Sequence, residues 1–524
     1  MLYADLVLVN GNIVTMNSAQ PKAQAVAIKN GKFVTVGTNR QILSYAEENT
    51  KRIDLKGKTV VPGFVDAHVH GASLGRVLSQ INLRNVKSIK EIQRKVKQWT
   101  KKTAVGKWII GRGWDQDKLI EHRYPSRFDL DQAAPRHPVF LLRVCGHLGV
   151  VNSKAMRLAG ITEQTEPPEG GCIDKDPKTG ELNGILQENA RNLIYKVLPE
   201  SSEKNLTSIC LLACQRMVEE GITTAHWIIS SASELHVLQK LNSRNMLPLR
   251  IYVLIPVEFL DNLVELGLST GFGGDKIKVG SIKILADGSL GARTAALKQP
   301  YNDTPETEGM MLYSQKQLEK FVEKAHEANL QLAIHAIGDK TVEVVLKILE
   351  KELGKVPKEN HRHRLEHVSV LNPRLIKKMR EIGVIASVQP HFVVSDFWIV
   401  DRLGKARARW AYAFKSLFKE GIMNMGGSDA PVEPISPILG VYAAVARKTF
   451  PQEQLTVEEA LRLYTINAAY GSFEEDIKGS IEKGKLADFV VLSQDPYKTA
   501  PKQIKNIKVE MTIVGGNTVY TRKQ

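Results

Sequence analysis

Apolar and polar residues alternate at both ends of the chain, which is the pattern of β-strands with one buried face. Residues 5–37 alternate in this way and contain Asn10-Gly11 and Asn30-Gly31, pairs that are typical of tight hairpin turns. Residues 484–522 repeat the pattern, with Gly515-Gly516 at a turn. Because chain ends often lie close together, we predict one small β-sandwich domain that combines residues 1–61 with residues 475–524.

Between these ends, short apolar segments alternate with segments of helical spacing. Eight apolar segments have the length of buried strands: residues 59–67, 223–229, 249–256, 279–286, 331–337, 362–368, 384–389 and 422–427. Helical spacing follows most of them, for instance at 314–330. Eight strand–helix units predict a (β/α)8 barrel of the TIM type over residues 62–474. A doubly wound open sheet is the alternative, which is disfavoured because no glycine-rich phosphate-binding sequence follows the first strand.

The chain between the first and second predicted strands is far longer than one crossover helix requires. We therefore predict that residues 75–205 form an α+β insertion after the first barrel strand. The predicted fold class is accordingly α/β: a TIM-like barrel, with a β-sandwich domain from both termini and an inserted subdomain.

Composition and charge narrow the functional classes. Of the 524 residues, 43% are hydrophobic and 24% are charged, the balance of a globular protein with a large core. We predict a cytoplasmic protein without a membrane partner, because no apolar run reaches the ~18 residues of a membrane span, the first residues lack a secretory pattern, and four cysteines are too few for a disulfide framework. The net charge of +16 is spread over the chain without interleaved aromatic residues, so we expect no nucleic-acid partner.

The first barrel strand ends in Asp66-Ala-His68-Val-His70. Residues two apart in an extended chain face the same side, so both imidazoles can reach one metal ion. The His-x-His pattern alone is a weak signal, because an exposed pair of histidines arises by chance about as often as a ligand pair.

Later strands end in further potential ligands. His335 ends the fifth predicted strand, His367 ends the sixth, and the eighth runs into Asp429. The 32 residues between the two histidines correspond to about one strand–helix unit, and the 62 residues from His367 to Asp429 correspond to about two. A single histidine in a strand is usually a packing residue. Four histidines and an aspartate at matching strand ends, where barrels of this kind carry their sites, instead predict a metal centre.

Lys283 lies within the fourth predicted strand, in VGSIKILADG, where a charged ammonium would be costly. Burial lowers the pKa of a lysine, and a neutral amine can react with carbon dioxide to form a carbamate whose oxygens bridge two cations. The alternatives are a lysine that reaches the barrel rim and one that pairs with Asp287.

On these residues the chain resembles the amidohydrolase superfamily, in particular the subgroup of YtcJ-like proteins and N-substituted formamide deformylases known as amidohydrolase 3. The resemblance covers nearly the whole chain and is specific for the family but not for a substrate. Its motifs are VVPGFVDAHVH, GRGWDQDKL, RVCGHLGVVNSKAM, GILQENA, IKILADGSLGARTAAL, HAIGDKTV, RLEHVSVL, QPHF, GSDAPVEPISP and GSIEKGKLADFVVL.

The resemblance implies a binuclear metal centre. One ion would be held by His68, His70 and Asp429 and the other by His335 and His367, with Lys283, carboxylated by CO2, as the bridge. Zinc is the first expectation, because imidazole and carboxylate ligands with open positions suit it, and manganese, iron or cobalt would also be accommodated.

The implied activity is hydrolysis of a carbon–nitrogen bond other than a peptide bond, in an amide, formamide or cyclic amide. A metal-bound hydroxide would be the nucleophile, and Asp429 would take its proton and pass it to the leaving group. The implied partner is a small-molecule substrate, and a homodimer is expected because members of the family often form dimers.

Position and resemblance together suggest substrate-binding residues, although packing explains them about as well. They are Trp114, Asp115 and His147 in the insertion, Asp287 and Arg293 in the loop after Lys283, and His226 and His391 at the ends of the second and seventh strands. Where relatives often carry Asp-Gly-His, this chain has Cys145-Gly146-His147, so a carboxylate is missing there. Arg293 would face an anionic group. The remaining histidines are expected at the surface or in packing: His122, His137, His236, His326, His361 and His363.

Other functions stay open from the sequence. One is a related hydrolase of esters or carbamates, and another is a deaminase with a single metal. The deaminase is disfavoured because no glutamate lies close after His335, although Asp339 could substitute. The third is a binding or regulatory protein without turnover, against which the intact set of ligands argues.

Overall fold

The computed structural model describes residues 3–143, 148–168, 171–176, 179–198 and 202–523. Its contacts divide the chain into two compact units, one of Met1–Ala72 with Ala213–Gln524 and the other of Ser73–Leu212. The insertion that the sequence predicts over 75–205 falls within the second unit, and the exact domain limits stay predictions. No helix in the described ranges is long and apolar enough to cross a membrane.

The first 78 residues contain the elements β1 (Leu6–Val9), β2 (Asn12–Val14), β3 (Lys22–Ala23), β4 (Ala25–Lys29), β5 (Lys32–Gly37), α1 (Asn39–Leu43), β6 (Lys51–Asp54), β7 (Thr59–Pro62), β8 (Phe64–Val69) and α2 (Gly71–Leu78). Next come β9 (Ile81–Asn82), α3 (Ile89–Thr100), β10 (Ile109–Trp114), α4 (Arg127–Ala133), β11 (Val139–Arg143), β12 (Leu148–Val151), α5 (Ser153–Leu158), β13 (Gly171–Lys175), β14 (Leu182–Glu188), α6 (Asn192–Tyr195) and α7 (Glu203–Glu219).

The rest of the chain contains β15 (Ile222–Ile228), α8 (Ala232–Ser243), β16 (Arg250–Pro256), α9 (Leu260–Glu265), β17 (Ile277–Leu285), α10 (Gln315–Glu327), β18 (Gln331–Ala336), α11 (Asp339–Lys355), β19 (Arg364–His367), α12 (Pro373–Ile382), β20 (Ile385–Val388), α13 (Phe392–Ser395), α14 (Ile399–Ala408), α15 (Phe414–Lys419), β21 (Asn424–Gly426), α16 (Pro437–Ala446), α17 (Val457–Leu463), α18 (Ile466–Gly471), β22 (Phe489–Leu492), β23 (Val509–Val514) and β24 (Asn517–Thr521). Short 3₁₀ turns lie at Gln116–Lys118, Asn189–Arg191, Val257–Phe259, Pro451–Glu453 and Pro501–Asn506.

Both chain ends contribute to a β-sandwich. One sheet has the strand order β5-β4-β1-β6, and the other has β24-β23-β22-β7-β2-β3, so β7 pairs with the C-terminal β22 on one side and with β2 on the other. The apolar positions of the alternating segments form the core between them, where the rings of Phe33 and Phe489 pack with centroids 5.9 Å apart. The strict alternation in the sequence therefore predicted this part of the fold correctly.

Eight parallel strands form the barrel, in the order β21-β20-β19-β18-β17-β16-β15-β8. The end strands meet, because the Asp429 N–H donates to the His68 carbonyl (2.7 Å) and the His70 N–H donates to the Ala430 carbonyl (3.0 Å). A bridge between Val69 and Ala430 completes this closure. The predicted TIM-like barrel is thus confirmed.

The first predicted strand needs a correction. Residues 59–67 form two strands instead of one, because Thr59–Pro62 (β7) belongs to the sandwich and Phe64–Val69 (β8) starts the barrel. Gly63 joins them at a crowded point, where a Cβ would lie 2.2 Å from the Thr223 hydroxyl oxygen. A continuous apolar run hides this boundary, since the residues of both strands are buried.

Capping sets the helix boundaries around the barrel. The helical pattern predicted over 314–330 corresponds to α10, which begins after Ser314 because its hydroxyl accepts the Gln317 N–H while the Gln317 side chain accepts the Ser314 N–H. The helix ends before Asn329, which has a left-handed backbone (φ 57°).

The unit Ser73–Leu212 has its own sheet, with the strand order β13-β14-β12-β11-β10-β9. The inner strands β10 and β11 are parallel, and β12, β14 and β13 continue the sheet as antiparallel pairs. Leu130, Leu141 and Val150 are fully buried in its core, together with α3 and α4 side chains. This mixture of strands and helices agrees with the predicted α+β character.

Candidate active site

The predicted metal ligands meet in one cavity at the C-terminal end of the barrel strands. The cavity has a volume of about 470 Å³. It is lined by His68, His70, Lys283, Leu285, Ser289, Leu290, Gly291, His335, Ile337, His367, Ser369, Phe392, Asp396, Trp398, Tyr412, Asp429, Val432 and Glu433. All six side chains that the sequence singles out as ligands are therefore neighbours, although they come from five different strands or strand ends.

The four imidazoles are packed against one another. The ring centroids of His68 and His70 lie 5.6 Å apart, those of His68 and His367 lie 4.9 Å apart, and those of His335 and His367 lie 4.4 Å apart. Burial lowers the pKa of His335 to about 3 and that of His367 well below its usual value. Both rings are therefore neutral at pH 7, which is the form of histidine that binds a metal.

His68 is held from behind by a carboxylate. Its Nδ1 donates to Glu366 Oε2, so its Nε2 is directed to the cavity. Both side chains are almost completely buried. Although burial raises the pKa of Glu366, the neighbouring Arg364 and His68 hold it well below the usual range, so the carboxylate is charged. A carboxylate that fixes the tautomer of a histidine is a common support for metal ligands.

Arg364 ties this carboxylate into the barrel core. Its Nε lies 2.5 Å from Glu366 Oε1, and its other nitrogens donate to the Ala67 carbonyl, to Ser387 Oγ (3.0 Å) and to His226 Nδ1 (2.8 Å). A fully buried guanidinium needs this many acceptors, because an unpaired charge in the core would be costly.

Asp429 stands opposite His68 and His70. Its Oδ1 lies 3.2 Å from His70 Nε2 and 3.4 Å from His68 Nε2. Asp66 positions the two chain segments, because its Oδ1 accepts the backbone N–H groups of His68 (3.1 Å) and Ser428 (2.9 Å). The backbones of Asp429 (φ 56°) and His367 (φ 74°) are left-handed, a strained conformation that is concentrated at functional sites.

The amine of Lys283 is buried and has no hydrogen-bond partner among the described residues. Burial lowers its pKa to about 8, despite the opposite influence of Glu366 and Asp429. The two alternatives from the sequence do not describe this position. The side chain is only 4% exposed, so it does not reach the rim, and it forms no ion pair with Asp287 in the described part of the chain.

Asp287 instead organises the loop after β17. Its carboxylate accepts the N–H groups of Ala296, Ile337 and Gly338 and the Thr341 hydroxyl, at 2.8–3.1 Å. The same loop touches His335, whose Nε2 donates to the Gly288 carbonyl at 2.9 Å. This bond leaves Nδ1 as the nitrogen of His335 that is free for a metal.

All four predicted substrate residues of the barrel lie outside the lining of the cavity. His226 is fully buried beneath it and bonds Arg364. Arg293 pairs with Asp303 instead of facing the cavity (2.9 Å), and Asp287 is committed to the loop. His391 supports a lining residue, because its Nδ1 bonds Glu433 Oε2. The suggested roles of these four residues in substrate binding stay predictions.

The predicted residues of the insertion are described within their own unit. Trp114 is fully buried in its core, and its Nε1 donates to the Leu141 carbonyl (3.0 Å). Asp115 pairs with Arg143 (2.8 Å). His147 lies outside the described residues, so the suggested roles of these three residues stay predictions.

Sequence reasoning missed several residues of the site. Glu366 was not singled out, although a carboxylate directly before a candidate ligand in a buried strand is an available signal. Asp396, Tyr412 and Glu433 were also missed, since they lie in loops whose residues have no periodic pattern. Asp339, the possible substitute for a deaminase glutamate, accepts the Lys298 N–H (2.9 Å) at the start of α11 and does not line the cavity.

The donor set fits divalent cations. Because His68 Nδ1 donates to Glu366, its Nε2 is an acceptor, and it lies 3.4 Å from the acceptor Asp429 Oδ1 without a hydrogen bond. Two buried acceptors at this distance repel each other unless a cation lies between them. The ligand atoms of His68, His70 and Asp429 all lie within 4.8 Å of one another, close enough for one ion.

Comparisons of the sequence and the fold show which known proteins the chain is similar to. Residues 51–520 match the model of the amidohydrolase family. A Bacillus subtilis protein that bears the name amidohydrolase YtcJ is 35% identical over 98% of both chains. The N-substituted formamide deformylase of Arthrobacter pascens is 27% identical over 99% of this chain and 98% of its own. The crystal structure of an uncharacterized metal-dependent hydrolase from Pyrococcus furiosus superposes with a TM-score of 0.80 and 35% identity, covering 94% of this chain and all of that one.

Proposed function

Since the chain belongs to the amidohydrolase family, we propose that it is a metal-dependent hydrolase that cleaves a carbon–nitrogen bond other than a peptide bond. The substrate class is an amide, formamide or cyclic amide of a small molecule. The observation that carries the proposal is the meeting of four histidines, a lysine and an aspartate in one cavity, where His68 Nε2 and Lys283 Nζ lack hydrogen-bond partners in the described structure.

The site would hold two divalent cations, with zinc as the first candidate and manganese, iron or cobalt as alternatives. One ion would be bound by His68, His70 and Asp429, and the other by His335 and His367. Lys283, as a carboxylysine formed with CO2, would bridge them. When bound, such cations lower the pKa of water towards ~7 and polarise a carbonyl oxygen.

The protein's own residues would then position the reactants and move a proton. Asp429 Oδ1 lies beside both histidines of the first strand. As a ligand beside two imidazoles, Asp429 would be present as a carboxylate that can accept a proton. We propose that Asp429 takes the proton from the attacking water and delivers it to the leaving nitrogen. The apolar side chains of Leu285, Leu290 and Ile337 also line the cavity, and apolar walls favour the exclusion of water around such a transfer.

Metal content tests this proposal directly. The protein is purified without chelators or a histidine tag, and metal per chain is measured by elemental mass spectrometry for the wild type, His68→Asn and Lys283→Ala. His236→Asn is the matched control, because His236 is exposed on α8. We expect about two ions per chain, fewer in both site variants and no change in the control. One ion that is insensitive to Lys283→Ala would contradict the bridged centre, and no metal after reconstitution would contradict the proposed function.

Activity is tested on a panel of formamides, N-acyl amines, cyclic amides and esters, with and without a chelator. Turnover of amides that stops when metal is removed and returns with zinc supports the proposal. Faster turnover of esters or of amino-heterocycles would favour the ester hydrolase or the deaminase with one metal. The absence of any turnover from metal-loaded protein would favour the binding-protein alternative. A cytoplasmic location and a homodimer remain predictions from the sequence.

A further inference from the structure

One wall of the cavity combines acidic and aromatic side chains. Phe392, Asp396, Trp398, Tyr412 and Glu433, here called the acidic–aromatic wall, all line the cavity together with the candidate metal ligands. They come from the segment 392–412 after β20 and from the loop after β21, outside the strand ends that carry those ligands.

Each carboxylate of the wall uses one of its oxygens in a hydrogen bond with another described residue. The Tyr412 hydroxyl donates to Asp396 Oδ2, and His391 Nδ1 bonds Glu433 Oε2. Neither Asp396 Oδ1 nor Glu433 Oε1 has a hydrogen-bond partner in the described ranges. Both carboxylates therefore keep an acceptor oxygen that no described group occupies, in side chains that line the cavity.

Among the described residues no lysine or arginine forms an ion pair with either carboxylate, and the basic group in direct contact is the His391 imidazole, whose Nδ1 bonds Glu433 Oε2. The lysine that lines the cavity is Lys283, which belongs to the candidate metal centre. Arg402 influences Asp396 only at longer range, because its guanidinium pairs with Asp303 and lies over the Trp398 ring at 4.8 Å.

Burial makes this negative charge costly. Glu433 is 9% exposed. Burial and the nearby Glu433 raise the pKa of Asp396 to about 6, although the Tyr412 hydroxyl opposes the shift. A cation between the two carboxylates would replace the lost hydration, and aromatic rings around it would add cation–π attraction. The contact of Arg402 with Trp398 shows that this ring already accepts a cation on one face.

We propose that the acidic–aromatic wall binds a positively charged nitrogen of the substrate, an ammonium or guanidinium group separate from the carbon–nitrogen bond that is cleaved. This inference rests on the proposed function, since it assigns the substrate class of the same cavity. The apolar lining of Leu285, Leu290 and Val432 suits a hydrocarbon chain between the two groups. The volume of about 470 Å³ lies in the ordinary range for a small-molecule site.

A matched pair of substrates tests this inference. Mono-N-formyl diaminoalkanes carry a terminal ammonium, and N-formyl alkylamines of the same length carry a methyl group in its place. Zinc-loaded protein is assayed with both series over several chain lengths. We expect kcat/KM to be about tenfold or more higher for the cationic member at the best length, because a desolvated cation–carboxylate contact strengthens binding by at least that factor.

Variants of the wall show whether the carboxylates cause this preference. Asp396→Asn and Glu433→Gln should each move the ratio of kcat/KM between the two substrates towards one, by raising KM for the cationic substrate. A purely structural role would lower the values for both substrates together and leave the ratio unchanged. Asp401→Asn is the matched control, because Asp401 is exposed on α14 and should preserve the ratio.

Binding without hydrolysis separates this inference from the proposed function. Calorimetric titration compares an alkylamine, which is an ammonium at pH 7, with the neutral alcohol of the same length. Tighter binding of the amine, lost in Asp396→Asn, supports the inference even if neither formamide is hydrolysed, in which case the proposed function fails alone. Hydrolysis of both series with equal efficiency, or equal binding of the amine and the alcohol, overturns the inference and leaves the proposed function intact.

Discussion

Replacing Glu366 by glutamine removes the negative charge that lies between His68 and Arg364 while it keeps the size of the side chain. The amide oxygen of the glutamine can still accept a hydrogen bond, but its nitrogen is a donor that faces the donor groups of His68 and Arg364. His68 can then adopt its other tautomer, in which Nδ1 accepts a hydrogen bond from the carboxamide. Its Nε2 carries the proton in that tautomer and no longer presents a lone pair to the cavity. Metal binding and stability should both suffer.

The contacts of Glu366 and the usual energies of such contacts give the expected loss of stability and of metal affinity. Breaking a buried ion pair from one side costs about 3–5 kcal/mol of stability. Arg364 keeps acceptors in the Ala67 carbonyl and Ser387 Oγ, so we expect about 3 kcal/mol, the lower end of that range. Loss of a partner that orients a metal-binding histidine typically weakens metal affinity by about 10–100-fold.

Two assays separate these effects. Urea unfolding of the metal-free protein measures the loss of stability, and competition with a zinc chelator measures metal affinity in the folded protein. Glu474→Gln is the matched control, because Glu474 is a buried carboxylate that pairs with Lys278 and Lys478 and does not line the cavity. The control should lower stability but leave zinc affinity within about twofold of the wild type.

Unchanged zinc affinity in folded Glu366→Gln would refute the role of Glu366 in holding His68. A loss of stability with no loss of affinity would mean that Glu366 serves only to neutralise Arg364. Equal losses of zinc affinity in Glu366→Gln and Glu474→Gln would show that the effect is a general consequence of destabilisation. The comparison therefore has a distinct result for each explanation.

Three further predictions follow from the described contacts. Lys283→Ala should lose one of two metal ions and most activity by elemental analysis and kinetics, and full retention of both would contradict the carbamate bridge. Burial lowers the pKa of His361 and His363, so the unfolded chain takes up protons before the folded protein does as the pH falls below about 6.5. Urea unfolding should therefore show a stability that is constant above this pH and that falls below it, by up to about 1.4 kcal/mol per pH unit for each histidine. Gly427→Ala should lower both the melting temperature and the metal content, because the added Cβ would lie 2.6 Å from the backbone nitrogen of His68. A variant with normal stability and full metal content would show that the backbone can shift at this position.

The parts of the fold that could be predicted are those in which apolar residues recur at a regular spacing. The alternating chain ends predicted the sandwich and the apolar segments predicted the barrel, because this spacing indicates which faces of an element are buried. The boundary at Gly63 was not predictable in this way. Both flanking strands are buried, and an uninterrupted apolar run does not reveal that the chain leaves one sheet and enters another.

The candidate ligands were predictable for a similar reason. They stand at strand ends, and the topology of a barrel brings all such ends to one face whatever the details of packing. His335 and His367 could therefore be paired from their spacing alone, although the side-chain contacts that select one nitrogen of each ring were not accessible. The Gly288 carbonyl that directs His335 lies in a loop whose path depends on Asp287 and its hydrogen bonds to three backbone N–H groups.

Residues that define a substrate pocket follow a different rule. Asp396 and Glu433 are 37 positions apart and lie in irregular segments, so no spacing relates them, and each would pass in the sequence for an ordinary surface carboxylate. Their significance comes from partial burial beside aromatic rings and from the absence of a lysine or arginine partner among the described residues, which are properties of packing. A barrel of this kind keeps its reactive groups on regular strand ends and its specificity in loops. The sequence therefore indicates the reaction class more readily than the substrate. The negative charge of the acidic–aromatic wall is the structural feature that narrows the choice of substrate.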